Sequence, residues 1–366
     1  MSIQALIATR KGLFTLDEQY ELHEAGFQGV PVSMVLATRK HIYWYAALDH
    51  GHFGVKLHRS DDNGKSWHEI TAPAYPGSEN EDTSDSLELI WSLAFAEADD
   101  KQGKKLWAGT IPGGLFYSDD AGQSWTLNEA LWAYKQEQNW FGGGYEHAGI
   151  HSICVDPRNS NHIRVAVSCA GVWVSKDKGQ SWENQSSGMR AAYFPPEKQF
   201  DPLIQDPHRL VQCPSKPDRL WVQHHNGIFR SDNGSQSWQE LEDVKPSVFG
   251  FAVAVHPDEG DTDWFVPGVK DECRIPVDGR LVVNRTRDGG ASFEACAKGL
   301  PEKKSYDLVY RHGLDVDSTG ERLLMGSTTG NLWYSKDQGD NWQCISNYLT
   351  PVLAVSLIKK CIVSYT

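Results

Sequence analysis

One eight-residue string, written six times, limits this fold more than any other feature. It runs Ser60-Asp61-Asp62-Asn63-Gly64-Lys65-Ser66-Trp67, then Ser118 to Trp125, then Ser175 to Trp182. Three looser copies follow: Ser231 to Trp238, with Asn233 and Ser235 where Asp and Gly stand elsewhere, then Thr286 to Phe293 and Ser335 to Trp342. Their first residues stand 58, 57, 56, 55 and 49 apart. The pattern Ser-x-Asp-x-Gly-x-Ser-Trp describes a hairpin turn. The Asp accepts its own downstream amides, the Gly takes φ > 0, the Ser adds a hydroxyl bond, and the Trp drives the turn between neighbouring units. These residues are structural staples and carry no catalytic role.

Before most copies stands a strand of Gly, aliphatic and aromatic residues: Gly114-Leu115-Phe116, Gly171-Val172-Trp173, Gly227-Ile228-Phe229 and Gly330-Asn331-Leu332-Trp333. Upstream lie two more apolar, β-branched strands, such as 150–155 and 164–168. One repeat is therefore strand A, strand B, strand C, turn, strand D, which is one four-stranded propeller blade. The blades fall near 32–70, 88–127, 149–184, 207–241, 248–295 and 307–345. Residues 3–24 supply strands B, C and D of a seventh, and 352–357 its strand A, so both ends of the chain close the ring and remove the free sheet edges. The expected fold is all-β, a seven-bladed β-propeller spanning 1–366 as a single domain. Residues 361–366 read as a second copy of strand B and have no place in this scheme.

Composition narrows the partners. With 40% apolar and 23% charged residues, the 366-residue chain has enough apolar surface for a large core. A net charge of −13 argues against nucleic acid and anionic membranes, which attract a basic face. Seven cysteines without CxxC spacing read as reduced thiols, and no metal or cofactor is assigned. The first residues have no signal-peptide core, and the apolar runs are strand-sized, so the expected compartment is the cytoplasm. Oligomeric state is left open.

The repeated string resembles the Asp box of BNR repeats, found in sialidases, other propeller glycosidases, the sortilin ectodomain and many uncharacterised bacterial propellers. Strings such as Ala8-Thr9-Arg10-Lys11-Gly12-Leu13-Phe14 and His224-His225-Asn226-Gly227-Ile228-Phe229 resemble bacterial BNR-repeat proteins labelled "glycosyl hydrolase", a group without a settled activity. The resemblance implies a sialidase-like glycosidase fold. Against sialidase activity itself, the Phe-Arg-Ile-Pro string is missing near the start, and Cys273-Arg274-Ile275-Pro276 keeps only Arg-Ile-Pro, in blade five.

In such propellers, D-to-A and B-to-C loops share one face, and the Asp boxes mark the other. The long connections 71–87, 128–148 and 185–206 are D-to-A, and 265–280 is B-to-C, so the site is expected at the mouth on that face. Asp271, Glu146 and Tyr145 are candidate acid, base and nucleophile. Arg274 is grouped with them, and Arg10, Arg280 and Arg311 are candidate grips for a carboxylate or phosphate. Trp140 offers a surface for a sugar ring, and His224 and His225 sit at the B-to-C turn of blade four. His151, His208 and His312 share one register on innermost strands and are candidates for ligand contact. Three readings stand open: a carbohydrate-active hydrolase on a glycan or other anionic small molecule, a non-catalytic scaffold, and a His-lined metal-dependent hydrolase or lyase.

Overall fold

The computed structural model describes residues 3–38, 41–77, 85–97, 100, 102–138, 140–270 and 273–358. Seven four-stranded antiparallel sheets form a seven-bladed propeller. Blade seven is built from both ends of the chain, in the order Val352–Leu357, Ile3–Thr9, Gly12–Asp17, Leu22–Gly26. Ala5 pairs with Leu357 and Ile7 with Val355, so strand A comes from the far end of the chain, as its apolar pattern requires. Residues 361–366 lie outside the described residues. No described helix is long and apolar enough to cross a membrane.

The repeated turns close as their chemistry dictates. In the first, the amide of Gly64 donates to Ser60 Oγ at 2.7 Å, while Asp62 accepts the Ser66 amide at 2.9 Å and the Ser66 hydroxyl at 2.6 Å. These bonds, the Ser66 hydroxyl first, pull the Asp62 carboxyl down to about 2. In blade four Asn233 takes over the Asp role, accepting the Ser237 amide and donating to its hydroxyl, and Ser235 adopts φ 75° where glycine is expected. The tryptophans reach back one blade: Trp125 Nε1 donates to Thr71 O, Trp182 to Asn128 Oδ1 and Trp238 to Gln185 O. These three boxes thereby tie their blades to the chain just beyond the outer strand of the one before.

The innermost strands carry a second regularity that the repeats do not reveal. Pairing with strand B shifts register between Val32 and Met34, Ile90 and Ser92, Ile150 and Ser152, Pro207 and Arg209, and Gly250 and Val253. A bulge at the mouth end of five consecutive blades re-aims the residue within it. Those residues are Ser33, Trp91, His151 and His208, and in blade five the pair Phe251 and Ala252. Side chains here also stitch adjacent blades: Ser33 Oγ donates to Ile90 O, Ser92 Oγ to Ile150 O, and His208 Nδ1 to Gly250 O.

The long loop 128–148 contains a helix, Glu129–Gln138, that the sequence pattern did not announce. Asn128 caps it by accepting the Leu131 amide, and Trp132 packs 4.7 Å from Tyr75.

Candidate functional site

At the mouth of the central channel, on the side of the D-to-A and B-to-C loops, lies a cavity of about 300 Å³. Its wall draws on every part of the ring: Arg10 and Leu353 from blade seven, Ser33 and Asp49 from blade one, Trp91 from blade two, and Gly143, Gly144 and Tyr145 from the loop into blade three. Blade four adds Asp206, His208 and His225, blade five Phe251 and Arg274, and blade six Tyr310, Arg311 and His312.

The bulges explain the core of this wall. Trp91 and Phe251, both re-aimed, flank the Arg311 guanidinium, with ring centres 4.6 and 5.4 Å from its Cζ. Phe251 then stacks on His208 at 4.3 Å and 11°, and the Arg274 guanidinium also approaches it at 5.5 Å. A cation held between aromatic faces is oriented without being neutralised. Among the described residues no carboxylate lies within ion-pair distance of Arg311, and its Nε is buried without a hydrogen-bond partner. Burial lowers its pKa from 12.5, partly offset by the charge of Asp206. A guanidinium in this position stays charged.

Asp206 closes the adjacent wall. Its Oδ2 stands 3.5 Å from His208 Nε2 and 3.6 Å from His225 Nδ1, while Oδ1 accepts the Cys169 amide at 3.3 Å. Burial opposes its charge, but His208 and then the fields of His224 and Arg311 outweigh burial and hold the carboxyl well below the usual range. Burial, with Asp206 next, pushes the Cys169 thiol far up. Cys169 itself has φ 55°, and the exposed Gly143 lies so close that a Cβ there would meet the sulfur at 2.6 Å.

Of the residues singled out from sequence, Arg10, Tyr145, His208, His225, Arg274, Arg311 and His312 line this cavity. His151 lies behind Trp91, fully buried, with Nδ1 on Ser152 Oγ at 2.9 Å; its carbonyl accepts His312 Nε2–H at the same distance. Burial keeps both rings far below 6.5, hence neutral. His224 is a backbone staple. Its two ring nitrogens face the amides of Asp206 and Asn226, which leaves a protonated ring no acceptor, and burial pulls it down to about 3. Trp140 does not line the cavity; it is 9% exposed and packs 5.5 Å from Trp173 in the core. Glu146 and Arg280 are exposed and lie outside the lining. Partial burial raises the Tyr145 phenol from its usual 10. Asp271 falls outside the described residues. The six described cysteines are all free, as their spacing suggests.

Sequence reasoning missed Trp91, Asp206, Phe251 and Tyr310. Asp206 carried a usable signal: Pro207 pairs with His224 across one hairpin, which sets Asp206 beside His225.

Fold and repeat together define a seven-bladed Asp-box propeller that resembles glycosyl hydrolases. The BNR/Asp-box repeat model matches residues 116–127. An oligoxyloglucan-reducing end-specific xyloglucanase from Emericella nidulans is 23% identical over 266 residues, 65% of this chain and 30% of that enzyme, so the chain spans less than a third of that relative's length. Among solved structures, an ancestral GH74 enzyme superposes with a TM-score of 0.60 at 18% identity, over 94% of this chain and 40% of that one. YCF48 bound to D1 peptide superposes with a TM-score of 0.54 at 14% identity, over 93% and 84%. At these identities the structural likeness speaks to the fold.

Proposed function

We propose that this chain is a carbohydrate-active hydrolase that takes an acidic saccharide into the mouth cavity. One observation carries the reading. Arg311, clamped between Trp91 and Phe251 and without an ion-pair partner among the described residues, presents a fixed guanidinium to a cavity of about 300 Å³, with Arg10 and Arg274 on the same wall. That arrangement suits a carboxylate or phosphate held bidentately, and Trp91, Tyr145 and Tyr310 suit the apolar face of a sugar ring. The xyloglucanase relative supports a glycan as the substrate class. Glycoside hydrolysis needs two groups that handle protons. Asp49 is one carboxylate on the wall, and Asp271, three residues before Arg274, is proposed as the other on its sequence position alone.

The test is hydrolysis of fluorogenic uronides, sialosides, phosphorylated and neutral glycosides by the purified chain and by Arg311→Ala. Turnover of an acidic substrate, with kcat/KM lowered about 100-fold in the variant, is the expected result, since hydrogen bonds to a charged partner are worth roughly 1.5–3 kcal/mol each. Turnover confined to neutral glycosides, equal in both proteins, defeats the acidic-substrate reading.

A second reading has its own support. Of the nine exposed large apolar side chains among the described residues, eight sit on mouth-side loops: Phe53, Phe141, Tyr145, Tyr193, Phe200, Tyr306, Tyr310 and Tyr348. An aromatic rim of this kind suits a protein or peptide partner as well as a glycan. A blank substrate panel from folded protein, together with saturable binding of a partner lost in Tyr306→Ala, would favour a scaffold.

A further inference from the structure

We propose that Asp206, His208 and His225 form a binding site for a divalent transition-metal ion, of zinc type, in the wall of the mouth cavity. The inference goes beyond the glycoside reading and differs from the sequence reading, whose cysteine spacing assigns no metal and whose open His-lined metal reading rested on the register of His151, His208 and His312.

The argument begins with a hydrogen atom. His208 Nδ1 lies 2.6 Å from the carbonyl oxygen of Gly250. A carbonyl only accepts, so Nδ1 carries the proton and, in the neutral ring, Nε2 carries the lone pair. That lone pair faces Asp206 Oδ2, another acceptor, at 3.5 Å. His225 Nδ1 stands at 3.6 Å from the same oxygen, and all three ligand atoms lie within 4.8 Å of one another. A lone pair and a carboxylate oxygen facing each other like this call for a positive charge between them, and His225 Nδ1 adds a third ligand atom beside them. With metal–ligand bonds of about 2.1 Å, the 3.5 and 3.6 Å separations to Asp206 Oδ2 each subtend an angle of roughly 115°, close to tetrahedral.

The surroundings are those of a prepared site. A ligating histidine ordinarily gives its other N–H to a carbonyl, as His208 does to Gly250. Asp206 is anchored at both ends: its Oδ1 accepts the Cys169 amide, its amide donates to His224 Nε2, and its carbonyl oxygen accepts the His225 amide at 3.0 Å. Phe251 stacks on His208 at 4.3 Å, and Phe249 and Tyr193 approach His225 edge-on, giving the cluster an apolar shell. Two imidazoles and one carboxylate suit zinc and its neighbours rather than magnesium or calcium. Three protein ligands leave the cavity side for water or a substrate oxygen, the arrangement of catalytic rather than structural zinc. The other cluster of suitable groups among the described residues, Asp17, Glu21 and His23, lacks this feature, because His23 Nε2 and Asp17 Oδ2 meet directly at 2.8 Å.

The experiment strips the full-length chain with a chelator, verifies its fold by circular dichroism, and titrates it with Co²⁺ in the visible and with Zn²⁺ in a calorimeter. One equivalent of Co²⁺ with strong tetrahedral d–d absorption is expected. Affinity for Zn²⁺ should fall by at least about 100-fold in His225→Ala and Asp206→Asn, a loss expected from removing a ligand when second-shell changes alone cost 10–100-fold. Should either variant fail to fold, anomalous scattering from Zn²⁺-soaked wild-type crystals decides, with a peak between the three side chains expected. Folded, stripped wild type that takes up no stoichiometric ion, a peak elsewhere, or His225→Ala binding as tightly as wild type overturns the site and leaves Asp206 and His208 as a proton-bridged ion pair. None of these readouts involves a substrate, so the result is separate from the fate of the glycoside reading.

Discussion

Aspartates do opposite work on the two faces of this ring. On the Asp-box side, Asp62 spends its oxygens on its own turn, accepting Ser66 and Lys65 amides and two serine hydroxyls within six residues of chain. On the mouth side, Asp206 is held by groups distant in sequence, from Cys169 to His225, and keeps one oxygen turned towards two imidazoles. Both carboxyls are pulled down from the ordinary value, so acidity alone does not separate them. What separates them is whether the polar group is exhausted by its neighbours. A satisfied aspartate is part of the frame, whereas Asp206 and Arg311, which has no ion-pair partner among the described residues, remain open to an outside ligand.

That contrast can be broken by substitution. The largest effect is expected from Trp238→Ala on the box side: the indole is 5% exposed and bonded to Gln185, and its loss should cost about 3–5 kcal/mol in denaturant unfolding. Catalysis per folded molecule should hold. Arg311→Ala should invert this pattern, with kcat/KM for an acidic saccharide down about 100-fold and stability changed by about 2 kcal/mol, the size of a desolvated cation–π contact. Equal damage to both quantities in both variants would erase the distinction between frame and site.

A smaller effect separates the boxes themselves. The Asp177 carboxyl is lowered from 3.8 to about 2, chiefly by the Ser181 hydroxyl and amide. A group depressed on folding stabilises above its unfolded pKa and loses that contribution as pH falls through the folded value. The melting temperature should therefore drop between about pH 4 and pH 2. Asp177→Asn should flatten part of that drop, since blade four already closes its turn on the non-titrating Asn233. An unchanged acid profile in the variant would show that the box aspartates do not set acid stability. Smallest of all, Arg280→Ala, exposed and outside the cavity lining, should shift stability and turnover by no more than about 0.5 kcal/mol.

The frame was legible because its turns are local: Ser60, Asp62, Gly64 and Ser66 bond one another, so their spacing is their geometry. Ring closure was legible for a related reason, since 352–357 matched the apolar pattern of an inner strand that had no blade. The site was legible only in part. Arg274 and Arg311 were found because arginines near the mouth invite attention, and His208 because it shares a register with His151 and His312, but the bulges that re-aim Trp91 and Phe251 leave no mark in an apolar strand. Asp206 read as the end of a loop, and only the pairing of Pro207 with His224 turns it towards the histidines. Trp140 misled because an aromatic in a long loop looks available, whereas the helix Glu129–Gln138 and Trp173 enclose it.

Ring closure also fixes an order of events during synthesis. Arg10 waits opposite a gap until residues 352–357, made long after it, slide in beside strand Ile3–Thr9 and bring Leu353 to the cavity wall. Six blades precede that strand in synthesis, but the wall of the mouth cavity is complete only once Val352–Leu357 has paired, so a chain stopped before residue 352 would hold six whole blades around an open-sided cavity.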